Sequence, residues 1–265
     1  MLPAERTANE LARVAEARLH VVHAADGGAV VGEGRVRQHL REAGYGPEDL
    51  NNVRSAPGPA DRVITGEAHR VDADVVVLGP HRPDRPSGLG STAVSVVHAA
   101  DVPCLILPVP LSLPLTSVLT PVDASAGSSR ARYRALDVAL TWASALRHRQ
   151  GMARPTRLVV LYIAPPGAAE AGALESLEQD VAALRDRFGA AARVDIELSV
   201  ERADDPARAI LQRAESEGSD LILLASRGAA TEYAARLGSV SAAVLRGTTR
   251  PVLLVPPPAT PNHDH

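Results

Sequence analysis

Residues 219–256 read SDLILLASRGAATEYAARLGSVSAAVLRGTTRPVLLVP, and residues 73–108 read ADVVVLGPHRPDRPSGLGSTAVSVVHAADVPCLILP. Each has an acidic residue, an apolar run, a loop, Leu-Gly-Ser, an apolar-periodic stretch, and Pro before a second apolar run. The step from the Gly of Gly-Ser to that Pro is the same in both, Gly90 to Pro103 and Gly238 to Pro251. A repeat of this length means two related units in one chain. A short apolar run, a helix-period stretch and another apolar run form a strand–helix–strand unit, which belongs to a parallel sheet.

Working outward, the same alternation fills the second half. SVLTPVD (117–123) reads as a buried strand, 127–147 as an amphipathic helix, and RLVVLYIA (157–164) as a second strand. A helix over 175–189 closes at Gly189, followed by a strand at 193–200, a helix at 205–217 and a strand at 220–225. A helix opening at Gly238-Ser239 and the strand PVLLVP (251–256) complete five strands and four helices. The first half has the same order. Helix 3–17, strand 18–24, helix 33–43, a weak strand near 51–55, helix 59–71, strand 75–79, a helix from Ser91 and the strand CLILP follow in turn.

RLHVVHA (18–24) aligns with RLVVLYI (157–163), so Met1 falls after the position of SVLTPVD. The first copy therefore lacks a counterpart to strand one. Either the true start lies upstream, or this half has four strands. A sheet without its middle strand leaves backbone groups unpaired. The expectation is that strands two and four close up directly, or that another chain fills the gap. Pro-rich VPLSLPL (109–115) joins the halves and PPPATPNHDH (256–265) is a tail. The expected domains are 1–110, 116–257 and a disordered 258–265.

Composition narrows the function classes. Hydrophobic content of 45% with 22% charged residues is that of a globular protein. A net charge of -3 offers no basic field for nucleic acid. All 28 cationic side chains are Arg, which excludes Schiff-base and P-loop lysine chemistry. The single Cys104 sits in an apolar run, reads as a small buried hydrophobe, and rules out disulfides within the chain and Cys-based metal sites. No apolar stretch approaches the roughly 20 residues that cross a bilayer. The charged N-terminus does not read as a secretory signal, so the expected location is cytoplasmic. The nine His residues show no metal-ligand spacing, and no nucleophile-elbow, zinc-protease or Walker A motif occurs.

TPVDAS at the end of a first strand, with Gly-x9-Gly-Ser before the last helix, resembles the universal stress protein family. The likeness runs over about 117–257 and again from about 3 to 108, so the chain resembles a tandem member whose first copy is degenerate. The resemblance implies an α/β fold in each copy: an open parallel sheet of order 3-2-1-4-5, Rossmann-like and akin to the adenine nucleotide alpha hydrolases. It also implies an adenine-nucleotide site using Gly-x2-Gly-x9-Gly-(Ser/Thr) for phosphates, an Asp after strand one, and a main-chain position after strand two.

Carried onto this chain, that set is Pro121 and Asp123 of TPVDAS, Ile163 after strand two, Gly228, and Gly238-Ser239-Val240 at the last helix. Ala225 replaces the first Gly. A methyl there either crowds a nucleotide or is harmless at negative φ. In open α/β sheets the ligand crevice lies at the carboxyl ends of strands where the order reverses, which is where Asp123 and the 225–228 loop meet. Unpaired amides at a helix N-terminus favour an anion by ~0.3–1 kcal/mol each, whereas micromolar affinity needs about 8 kcal/mol, so adenine burial must contribute too.

The first copy has no strand-one Asp. Arg82 stands where the second Gly would be, and only seven residues, Pro83, Asp84 and Pro86 among them, separate it from Gly90. The resemblance thus implies ATP or another adenine nucleotide, with or without Mg2+, in the second half. It also implies a stress-response sensor or regulator with at most slow ATP hydrolysis and with protein partners the sequence does not name. The alternative is a nucleotide-free universal stress protein acting as an interaction module. The Pro-led terminal strands of such proteins pair across a dimer two-fold. Here CLILP and VLLVP are expected to do so within the chain as a pseudo-dimer, with or without a further homodimer.

Overall fold

The computed structural model describes residues 3–25, 32–47, 49–79, 90–124, 129–148, 154–167, 171–226 and 237–257. The tail 258–265 and the loop residues Arg82, Pro83, Asp84, Pro86, Arg227 and Gly228 lie outside this set. Helices and strands alternate along the first half as α1 (Pro3–Ala15), β1 (Val21–Ala25), α2 (Glu33–Glu42), β2 (Val53–Pro57), α3 (Ala60–Arg70), β3 (Val76–Leu78), α4 (Ser91–Ala99) and β4 (Cys104–Ile106). The second half continues with β5 (Ser117–Val122), α5 (Ser129–His148), β6 (Thr156–Ala164), α6 (Ala171–Phe188), β7 (Val194–Arg202), α7 (Pro206–Ser216), β8 (Leu221–Ala225), α8 (Ser239–Gly247) and β9 (Val252–Val255).

Local chemistry sets the helix ends. The Asp205 carboxylate accepts from the amide of Arg208 at 3.0 Å, and Pro206 follows it as the first helical residue of α7. After α6, Gly189 at φ 64 turns the chain where a side chain would be strained. The acidic residue that opens the second repeat has a structural task. Asp220 Oδ2 accepts from the Thr116 amide and hydroxyl, both at 2.7 Å, and from the Ser117 amide at 3.0 Å. It thereby ties the start of β5 to the start of β8.

Seven strands form one sheet in the order β3-β4-β9-β8-β5-β6-β7. Read from β7 to β9, the second half has the expected order 3-2-1-4-5, with every neighbouring pair parallel. Among the described residues one antiparallel ladder occurs, and it joins the halves. Cys104, Leu105 and Ile106 of β4 pair with Leu254, Leu253 and Val252 of β9. This is the expected internal pseudo-dimer joint, and it covers both terminal edges.

The expected closure of the first half is not made. β1 pairs in parallel with β2, from Val21↔Val53 to Ala25↔Pro57, as a separate two-stranded sheet, while β3 pairs with β4 in the large one. Among the described residues no ladder joins β1 to β3. The reason is geometric. β3 takes its place from the β4–β9 ladder, β2 pairs with β1 and packs on α2, and α3 packs against both β1 and α4. Among the described residues, α3 packing on β1 and α4 connects the two sheets, with no hydrogen-bond ladder between β1 and β3.

Each face of the large sheet carries its own core. One cluster includes Leu119, Val159, Leu161, Ile222, Val244 and Val252, under α4, α7 and α8. The other, on the opposite face, includes Val118, Leu136, Leu140, Leu158, Leu184 and Leu253, under α5 and α6. Burying each such side chain contributes roughly 1.5–3 kcal/mol. The β1–β2 pair has a smaller core of Leu40, Tyr45, Leu50 and Val53. Two strands alone are marginal in water, so this piece depends on α2 and α3 for its stability.

Candidate functional site

The order reverses at β5, the strand flanked by β6 on one side and β8 on the other. Strand alternation puts Pro121 on the same face as Leu119, and Asp123 follows one step beyond the strand, exposed at its carboxyl end. Val122 pairs with Tyr162, so Ile163 emerges beside Asp123 on the neighbouring strand, packed on the Leu119 face. On the other side β8 ends at Ala225, paired with Val255.

α8 opens on the same face. Leu237 is buried in the Leu119 cluster and Val240 packs against it, while Ser239 is exposed at the helix start. Gly238 precedes the helix at φ 71, ψ 146, a backbone region reserved for glycine. The corresponding glycine of the first repeat, Gly90, has φ −65 and ψ 157, which any residue adopts. The first amides of α8 have no intrahelical acceptor, so Gly238-Ser239-Val240 form an anion-favouring terminus. The Ser241 hydroxyl donates to the main-chain oxygen of Ala225 at 3.3 Å and fixes that terminus to the end of β8.

The structure thus brings Pro121, Asp123, Ile163, Ala225 and Gly238-Ser239-Val240 to one end of the sheet. It also answers the question raised by Ala225. Ala225 lies within regular strand β8 and is not among the residues of positive φ. Its methyl packs with the Val118–Leu253 cluster, on the face opposite Val240 and Ile163. The replaced glycine therefore does not put a side chain on the α8 face.

One residue in this region was missed by sequence reasoning. Arg132, in the first turn of α5, has a side chain only 2% exposed. Its Nε donates to Asp180 Oδ2 at 2.6 Å, Nη2 to Ser176 Oγ at 2.9 Å and Nη1 to the main-chain oxygen of Asp123 at 3.2 Å. A buried guanidinium requires such pairing, because desolvating it alone is costly. The signal was present: Arg132 stands on the same helical stripe as Ala135, Leu136 and Ala139, all buried. A charge on an apolar stripe calls for a buried partner.

Among the described residues no group of His, Cys, Asp and Glu is arranged to hold a metal ion. No helix there is long and apolar enough to cross a membrane. The arrangement offers amides, a carboxylate and apolar walls, which suit a ligand with one anionic and one apolar end.

A family model described as the universal stress protein family matches residues 2–108 and 115–256. No curated protein matches the chain. Among solved structures, a universal stress protein from Archaeoglobus fulgidus DSM 4304 is similar with a TM-score of 0.57 and 23% identity, covering 84% of this chain and 74% of that one. A candidate universal stress protein from Pseudomonas aeruginosa UCBPP-PA14 gives 0.62 at 15% identity, covering 96% and 87%. A protein of unknown function from Pseudomonas aeruginosa PAO1 gives 0.60 at 16% identity, with the same coverage of 96% and 87%. At these identities the likeness is one of fold.

Proposed function

The chain belongs to the universal stress protein family, and we propose that it is a cytoplasmic stress-response regulator that binds ATP or another adenine nucleotide in its second half. On this reading residues 116–257 form the complete, ligand-binding domain, and 1–110 form a scaffold copy without strand one. The observation that carries the proposal is Gly238 at φ 71, opening α8 at the strand-order reversal beside Asp123. A glycine-only backbone there presents helix amides without a Cβ in front of them. Asp123 and the Ile163 main chain would take the adenosine end, and the amides of Ser239 and Val240 the phosphates, with or without Mg2+ on the phosphate oxygens.

The site has no assembled nucleophile, base and oxyanion hole among the described residues, so its proposed work is sensing, with at most slow hydrolysis. With β4 and β9 paired inside one chain, any homodimer would use another surface.

The test is direct. Denature the purified protein and look for released adenine nucleotide, then titrate ATP calorimetrically into the wild type, Gly238→Val and Gly90→Val. Binding that is lost in the first variant and kept in the second supports the proposal. No co-purified nucleotide and no binding at millimolar ATP would overturn it and leave the interaction-module reading.

A further inference from the structure

We infer that Arg132 is a positioning residue for the candidate nucleotide site, holding the main chain of Asp123 at the carboxyl end of β5; the inference rests on the nucleotide reading above. Its three guanidinium nitrogens reach two other elements, the end of β5 and α6. Nη1 holds the Asp123 oxygen, and Nε and Nη2 hold Asp180 and Ser176, one turn apart on α6. The side chain is 2% exposed and that of Asp180 23%, so the pair is largely shielded from water. Shielding strengthens these charge-assisted bonds.

The geometry explains why arginine is used. A planar fork with donors in fixed directions joins a carboxylate, a hydroxyl and a carbonyl at once, whereas a lysine ammonium fits one or two of them. Asp123 itself is exposed, one step beyond the end of β5. The bond to its main-chain oxygen is a restraint from the opposite face of the sheet. It leaves the ligand side open and couples the position of α6 to that of Asp123.

The test uses Arg132→Lys, which keeps the charge and most of the volume, with Arg132→Met as the harsher form. Hydrogen exchange by mass spectrometry is followed in the segment 117–124 and, as a reference, in β7. ATP affinity is measured for wild type, Arg132→Lys, Asp123→Ala and the double variant. Faster exchange in 117–124 with β7 unchanged is expected. ATP affinity should fall about tenfold when Asp123 is present, and about twofold or less in the Asp123→Ala background.

A generally destabilised fold would weaken both backgrounds equally, and that result overturns the inference. Unchanged exchange in 117–124 overturns it as well. If the wild type binds no ATP, the functional reading fails by itself, and the exchange data alone decide whether Arg132 positions the strand end.

Discussion

Leu105 and Leu253 stand opposite each other across the antiparallel β4–β9 ladder, both fully buried in the same core cluster. One belongs to each half of the repeat, so their contact is the centre of the joint that makes seven strands one sheet. Leu253→Ala removes packing from both halves together. We expect a loss of about 2–5 kcal/mol, read by chemical denaturation. Exchange protection should fall in β3 and β4 as well as in β8 and β9. A loss confined to the second half would show that the joint is not shared.

Gly238 and Gly90 occupy equivalent places in the two repeats, but only Gly238 has a positive φ. Gly238→Ala should therefore cost about 1–3 kcal/mol, the range for a non-glycine residue in such a region. Gly90→Ala should change stability by about 0.5 kcal/mol or less. Thermal unfolding of the two variants side by side checks the difference, and equal effects would contradict it.

Burial pushes the Cys104 thiol up to about 12. At pH 8 the thiolate, the reactive form, is essentially absent, and Cys104 is only 2% exposed. A disulfide-exchange reagent should leave native Cys104 unmodified over hours and titrate one thiol per chain in guanidinium. Rapid modification of the native protein would show that β4 opens readily.

Glu67 on α3 is 4% exposed and ion-paired with Arg70 and with Arg54 of β2. Hydrogen bonding from Arg70 holds its carboxyl below the ordinary 4.5, with burial opposing and Arg54 assisting. A lowered folded-state value means the stabilisation is complete above pH 4.5 and is lost as pH falls through the lower value. Glu67→Gln should cost about 1.5–3 kcal/mol at neutral pH. It should also flatten the acid limb of the stability curve below pH 4.5. An unchanged acid limb would assign that loss to other carboxylates.

Much of the fold was legible because its signals are local. The strand expected at 157–164 is β6 at Thr156–Ala164, and the helix expected from Gly238-Ser239 is α8 at Ser239–Gly247. The helix expected at 175–189 already includes Ala171, which was missed because Ala-Gly-Ala-Leu carries no polar start signal. Arg132 was not read as part of the site, since its partner Asp180 lies 48 positions away. The fate of β1 and β2 was also outside local reach. Whether they close onto β3 depends on where α3 and the β4–β9 ladder settle, which no window of sequence contains.

The repeat at 73–108 and 219–256, by itself, determined the parallel α/β architecture and the order of elements. Hydrophobic period and helix-stop residues act over a few positions and survive in any context. Only the tertiary structure decided that the two Leu-Gly-Ser glycines differ in φ, that the Ala225 methyl points away from α8, and that the first half is split between two sheets. Those outcomes depend on which distant surfaces pack together, and long-range burial and hydrogen bonding are not encoded at any one position of the repeat.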